Sequence, residues 1–180
     1  MGKVLESIER SLQSWIRQQH IFFVATAPED TNGHINCSPK GADSFRILDP
    51  LTVAYQDLTG SGVETIAHLK ENGRILIMFC AFEGAPKIVR LHGKGEALLK
   101  DTAEYDKLAL NFNYHPGTRA IIRVEVQRIS TSCGYSVPLY DYVDQRDVLD
   151  KWTEKKSPEE LIAYRDKNNQ VSIDGLPGLT

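Results

Sequence analysis

Two short stretches of this sequence hold residue types suited to gripping a phosphate. The first is Asn36-Cys37-Ser38-Pro39-Lys40-Gly41, where a lysine follows a serine at the end of a strand-like run. The second runs from Tyr55-Gln56-Asp57 through Gly60-Ser61-Gly62 to Thr65. A strand that feeds a glycine-bearing turn and then a helix leaves backbone N–H groups without intrahelical partners. Such an end carries partial positive charge and suits an anion. Ser61 and Glu64 stand at capping-box spacing, which places the helix start near Ser61. The plain alternatives stay open: Ser61 only caps a surface helix, and Lys40 is an ordinary surface lysine. The turn is not a P-loop, because no lysine–serine/threonine pair follows its last glycine.

Other chemistry-bearing residues also carry two readings. Arg90, in Lys87-Ile88-Val89-Arg90-Leu91-His92-Gly93, reaches a ligand or pairs across a sheet with Glu64 or Glu96. Asp43 and Arg46 are close enough for a local ion pair worth little. The five histidines (His20, His34, His68, His92, His115) show no metal-ligand spacing with the cysteines, so no metal site is expected. Cys37 lies beside the candidate site, yet nothing marks a lowered pKa, and a buried thiol is the expectation. Cys133–Tyr142 holds three tyrosines, too apolar for a linker and suited to the wall of a pocket. Tyr135 or Tyr140 is expected against that pocket with the helices beyond Leu149 covering it, although the segment could equally glue those helices to the rest.

The elements that must position these residues follow from periodicity. Val4, Leu5, Ile8, Leu12, Trp15 and Ile16 predict an amphipathic helix over 3–18. Ile21–Ala27 reads as a strand, Asn32-Gly33 as a turn, and His34–Ser38 as the returning strand, with Pro39 ending or edging it and leaving Lys40 exposed. Further strands are expected at Val53–Gln56, Arg74–Phe82, Lys87–Leu99 and Thr118–Thr131, with glycines Gly93 and Gly95 marking a bulge or bend. Helices are expected at 61–71, after Asp101 or Thr102, and near 145–155 and 158–167, the last opened by the capping box Ser157-Pro158-Glu159-Glu160. Six strands with hairpin-length links suggest an antiparallel barrel. The expected division is a barrel over 1–132 and a C-terminal loop and helical extension over 133–180. With 21 basic and 24 acidic residues the net charge is −3, which argues against a general nucleic-acid binder. No apolar run is long enough to span a bilayer and no signal peptide is expected. Three widely spaced cysteines suggest reduced thiols in a cytoplasm.

In this order and spacing, the three stretches around Lys40, Gly60–Thr65 and Arg90 resemble the FMN-binding split β-barrel flavoproteins, the pyridoxamine 5′-phosphate oxidase-like family. The resemblance covers roughly residues 15–130. It implies an α+β fold built on a six-stranded antiparallel split barrel, FMN as cofactor, and a homodimer with flavin at the subunit interface. It implies a cofactor site drawn from Ser38, Lys40, Tyr55, Gln56, Asp57, Gly60, Ser61, Gly62, Thr65 and Arg90, the last serving the neighbouring subunit. Two departures stand out. The family's arginine and lysine are missing at Ser61-Gly62, and its tryptophan- and arginine-containing finish is replaced by a different tail. The resemblance therefore implies an FMN-dependent oxidoreductase of unknown substrate rather than a vitamin B6 phosphate oxidase. The alternatives are a non-catalytic flavin-binding or stress-response protein, and a barrel that binds deazaflavin or haem.

Overall fold

A computed structural model describes residues 2–180. Eight antiparallel strands form one strongly coiled, unclosed sheet: β1 (Lys3–Leu5), β2 (Phe22–Thr26), β3 (Asn36–Lys40), β4 (Phe45–Asp49), β5 (Thr52–Leu58), β6 (Arg74–Cys80), β7 (Ile88–Leu99) and β8 (Thr118–Ser132). Their order across the sheet is β3-β2-β6-β7-β8-β5-β4, with β1 added to β8. Five helices accompany them: α1 (Arg10–Arg17), α2 (Glu64–Asn72), α3 (Ala103–Ala109), α4 (Val148–Glu154) and α5 (Pro158–Asn168).

The long strand β8 explains the coiling. Over its whole length it pairs with β7, while its other edge pairs first with β5 and then with β1. A bulge between His92 and Gly93 lets β7 follow that curve, and a side chain at Gly93 would run into the carbonyl of Glu125. The concave face buries Phe22, Val24, Tyr55, Ile77, Phe79, Leu91, Ile122 and Val124, closed by Leu12 and Ile16 of α1 and Ile66 and Leu69 of α2. Asn72-Gly73 ends α2 as expected, with Gly73 at φ 69°.

Several expectations need correction. The helix over 3–18 is a strand followed by a shorter helix: Lys3–Leu5 pairs with Ile129–Thr131 of β8, whose free edge claims the segment. Only Ile8, Leu12 and Ile16 keep the buried helical stripe. Eight strands replace six, because β1 is only three residues long and β4 has no buried–exposed alternation to mark it. The returning strand is Asn36–Lys40 rather than His34–Ser38, and it contains Pro39; it is the outermost strand beside β2, where a missing ladder N–H is tolerated. Lys40 is therefore not exposed at a strand end but turns inward. Cys37 is exposed, not buried, since it faces the opposite way on that edge. The capping box at Ser157 and Glu160 is formed, and Thr102 caps α3 by accepting from the Tyr105 N–H.

Candidate functional site

Asn36, Ser38 and Lys40 alternate along β3, so all three side chains share one face of that strand. At its end the Lys40 Nζ lies 3.0 Å from Asp57 Oδ1, and Arg119 Nε lies 2.7 Å from Asp57 Oδ2. Asp57 is fully buried. Burial alone would push its pKa up, but the Lys40 ammonium and the Arg119 guanidinium outweigh it and hold the carboxyl below its usual range. Arg119 already answers the one negative charge, so the triad carries one cation more than it needs. Two buried polar atoms on its members and neighbours have no partner: Arg119 Nη1 and the hydroxyl of Tyr55. The Tyr55 ring centroid is 6.0 Å from Lys40 Nζ, and burial raises the phenol's pKa well above its ordinary value.

A second polar network continues along β3. Ser38 donates to Asn36 Oδ1 at 3.0 Å, and the Asn36 amide donates to Thr65 Oγ1 at 3.0 Å and Thr26 Oγ1 at 3.2 Å. Thr26 in turn meets His68 Nδ1 at 2.9 Å. The turn above this network is pinned by the C-terminal half of the chain. Thr59 donates through its N–H and its hydroxyl to the Gly117 carbonyl, and Arg165 Nε donates to Thr59 Oγ1 at 2.9 Å. Asn169 donates to the Gly60 carbonyl at 3.0 Å. So held, the chain enters α2 through Val63, which is buried with Gly178 against it. The expected capping box at Ser61 is therefore not formed: Ser61 is exposed, α2 has no side-chain cap, and the Glu64 carboxylate folds onto Gly62.

A cleft of about 1000 Å³ opens beside the triad, with Lys40, Gln56 and Thr59 at its inner end. Ile21, Phe23, Phe82 and Leu149 give it apolar walls. Its outer wall is the exposed segment before α4, fixed by a Tyr140 N–H donated to the Phe82 carbonyl at 2.9 Å and a Tyr142 N–H donated to Glu83 Oε1 at 3.1 Å. The rings of His20 and Tyr142 stack at 3.7 Å and 9°, and those of Phe82 and Tyr140 at 5.4 Å.

The structure thus places Ser38, Lys40, Tyr55, Asp57 and Thr65 along one buried polar strip, with Gln56 beside Lys40 in the cleft. Gly60, Ser61 and Gly62 form the turn over that strip. Arg90 lies outside the polar strip: it shares a cross-strand row with Met78, Phe23 and Pro39, the face whose Phe23 and Pro39 wall the cleft, but it does not itself line the cleft. It pairs with neither Glu64 nor Glu96 and instead donates to Ser132 Oγ at 2.9 Å; Glu96 is taken by Arg123. Asp43 and Arg46 form the expected local pair at 2.7 Å. Tyr140 lines the cleft, joined by Tyr142, whereas Tyr135 points to solvent and does not. Leu149 and Asp150 bring the start of α4 to the cleft. Arg119 was missed; its signal is an arginine opening the apolar run Ala120-Ile121-Ile122, which must be buried and so needs a carboxylate. No cluster of three or more metal-ligating side chains occurs among the described residues.

Comparison with known proteins places this arrangement among relatives. A family model described as pyridoxamine 5′-phosphate oxidase matches residues 8–133. The protein ustO of Aspergillus flavus, named as a pyridoxamine 5′-phosphate oxidase family protein, is 40% identical over 191 residues, covering 97% of this chain and 76% of its own. Among solved structures, a variant of HupZ from Group A Streptococcus is 27% identical and covers 69% of this chain and 99% of its own, with a TM-score of 0.55. A Lactobacillus delbrueckii structure described as a pyridoxamine 5′-phosphate oxidase is 15% identical over 71% of this chain and 98% of its own, with a TM-score of 0.53, and so shares the fold.

Proposed function

The chain belongs to the pyridoxamine 5′-phosphate oxidase family, and from that premise we propose that it is an FMN-dependent oxidoreductase working as a homodimer. The observation that carries this reading is the triad Lys40–Asp57–Arg119 at the inner end of an apolar cleft. Because Arg119 keeps the buried Asp57 satisfied, Lys40 is a spare cation that can turn to a phosphate without leaving a carboxylate unpaired. The orphaned Arg119 Nη1 offers a further donor. The cleft's volume falls within the range of cofactor pockets, and its mostly apolar lining suits a flavin ring.

In this reading Lys40 holds the phosphate, with the hydroxyls of Ser38, Ser61 and Thr65 and the Gly60–Gly62 turn beside it. Gln56 and the tyrosines of the outer wall border the ring. A bound flavin supplies hydride chemistry, while the chain orients it and excludes water from its inner face. The loss of basic residues at Ser61-Gly62 leaves Lys40 with most of the phosphate's charge. The half-buried sheet face that continues from the cleft wall, with Leu76, Met78 and Arg90, is the proposed contact with a second copy. No helix among the described residues is long and apolar enough to cross a membrane. All three cysteines are unpaired, in keeping with a reducing cytoplasm.

The test is FMN titration of the wild type and Lys40→Ala, followed by flavin absorbance. The variant should bind FMN about 1.5–3 kcal/mol more weakly, the worth of a charge-assisted hydrogen bond. Unchanged affinity removes Lys40 from the site, and absence of flavin binding in the wild type removes the reading itself. Light scattering should give twice the 20.2 kDa chain mass; a monomer that still holds FMN would contradict the dimer.

A further inference from the structure

The mouth of the cleft has a charge opposite to its inner end. Glu83, Asp141, Asp144 and Asp150 all line it, against Arg146 alone once Lys40 is assigned to the inner end. Two of these carboxylates are fixed in place by backbone N–H groups: Glu83 accepts from Tyr142 and Asp144 accepts from Gln145. Asp150 is met by His115 Nε2 at 2.8 Å, so it is the one partly answered by a neighbour. Between them stand Tyr140 and Tyr142, 62% and 41% exposed, each with one ring face stacked and held flat. An aromatic face carries negative potential, and an array of tyrosine faces with carboxylates attracts an organic cation. The carboxylates do not gather as a metal-ligand cluster among the described residues, so their charge suits a diffuse cation rather than a bare metal ion.

We propose that this mouth selects an organic cation, an ammonium group on an apolar or aromatic body, and rejects phosphorylated substrates. The proposal deepens the reading of the cleft as a flavoenzyme's substrate site and rests on it for the identity of the inner end. A phosphate ester entering here meets four carboxylates against the single guanidinium of Arg146, and such like-charge juxtaposition is how binding sites exclude wrong partners.

Calorimetric titration of the full-length protein with benzyltrimethylammonium, benzyl alcohol and benzyl phosphate tests it, since the three differ chiefly in charge. At low salt the ammonium should bind about tenfold or more tighter than the phosphate, with the alcohol between, and the gap should shrink as salt is raised. The triple variant Glu83→Gln/Asp141→Asn/Asp144→Asn keeps one acceptor oxygen at each position, enough for the Tyr142 and Gln145 N–H groups, so it should fold normally and lose most of the preference. Equal affinities or tighter binding of the phosphate that persist in Lys40→Ala, whose inner end no longer offers its spare cation, no ammonium binding at millimolar concentration, or a preference untouched in the triple variant would each overturn the proposal. Flavin absorbance of the same samples separates the two ideas. A cation preference without flavin leaves this proposal standing and the cofactor reading fallen, whereas bound flavin without the preference does the reverse.

Discussion

The two ends of the cleft are built in opposite ways. At the inner end, Lys40, Asp57 and Arg119 are tied by charge-assisted bonds inside the sheet, and the carboxylate at their centre has no contact with water. At the mouth, Tyr140, Tyr142 and their acidic neighbours sit on a loop that is exposed along its length and held by a few backbone contacts. In the first region the loss of Asp57 leaves the buried Arg119 uncompensated. In the second, water replaces a lost contact. The inner end should therefore govern stability and the mouth should govern selectivity, and substitutions at the two ends should separate these properties.

The largest effect is expected at Asp57→Ala. It strands Arg119 and Lys40 beside each other with no anion, and breaking a buried pair in this way costs about 3–5 kcal/mol. Urea unfolding should show it as a lower midpoint at unchanged slope. A loss no larger than that of a surface substitution would mean the triad is solvated in solution and the contrast between the two ends is false.

A smaller effect, and one with a pH signature, is expected in the second polar network at His68. The ring is fully buried, its Nε2 has no partner, and burial holds its pKa below the ordinary 6.5. With the folded pKa depressed, the unfolded chain binds the proton more readily. The neutral ring's stability is thus fully present above the unfolded value and is lost as pH falls below it. Unfolding at pH 7.5 and pH 5.5 should show a loss in the wild type that His68→Gln reduces. An identical pH dependence in both would show that the ring is reachable by water.

How much of this was readable in advance follows the same division. Lys40, Ser38, Asp57 and Thr65 lie in two local motifs, legible from the serine–lysine pair after the Asn32-Gly33 turn and from the strand–turn–helix that follows Tyr55. Arg119 lies outside any motif. It reaches Asp57 because β5 and β8 pair with Asp57 opposite Ala120 and the register then shifts, setting Leu58 opposite Thr118 and leaving Arg119 as the extra residue between them. The strand β4 shows no alternation, since Phe45, Arg46, Ile47 and Leu48 are all half-buried. For β1, the helical spacing of Val4 and Leu5 with Ile8 misled, because the free edge of β8 offers a better partner than one more helical turn. The Ser61 cap failed for a similar reason. Asn169 and Arg165 hold the turn from across the chain, and local capping chemistry does not overrule them.

The smallest effect on stability is expected at the mouth, from Tyr142→Ala. The substitution removes the stack on His20, an interaction worth about 0.5–1.5 kcal/mol between buried rings and less for rings this exposed. Global stability should therefore fall by under about 1 kcal/mol. Locally the change is larger in proportion, because the segment before α4 is attached to the barrel by only a few contacts, including the Tyr140 and Tyr142 N–H groups and the Gln145 amide. Hydrogen exchange at Tyr140 and Tyr142 should accelerate while exchange in β7 and β8 stays unchanged, the pattern of local rather than global opening. If unfolding shifts as much as for Asp57→Ala, the loop is part of the cooperative core. The wall of the cleft would then belong with its floor, and the stability of one end could not be varied without the other.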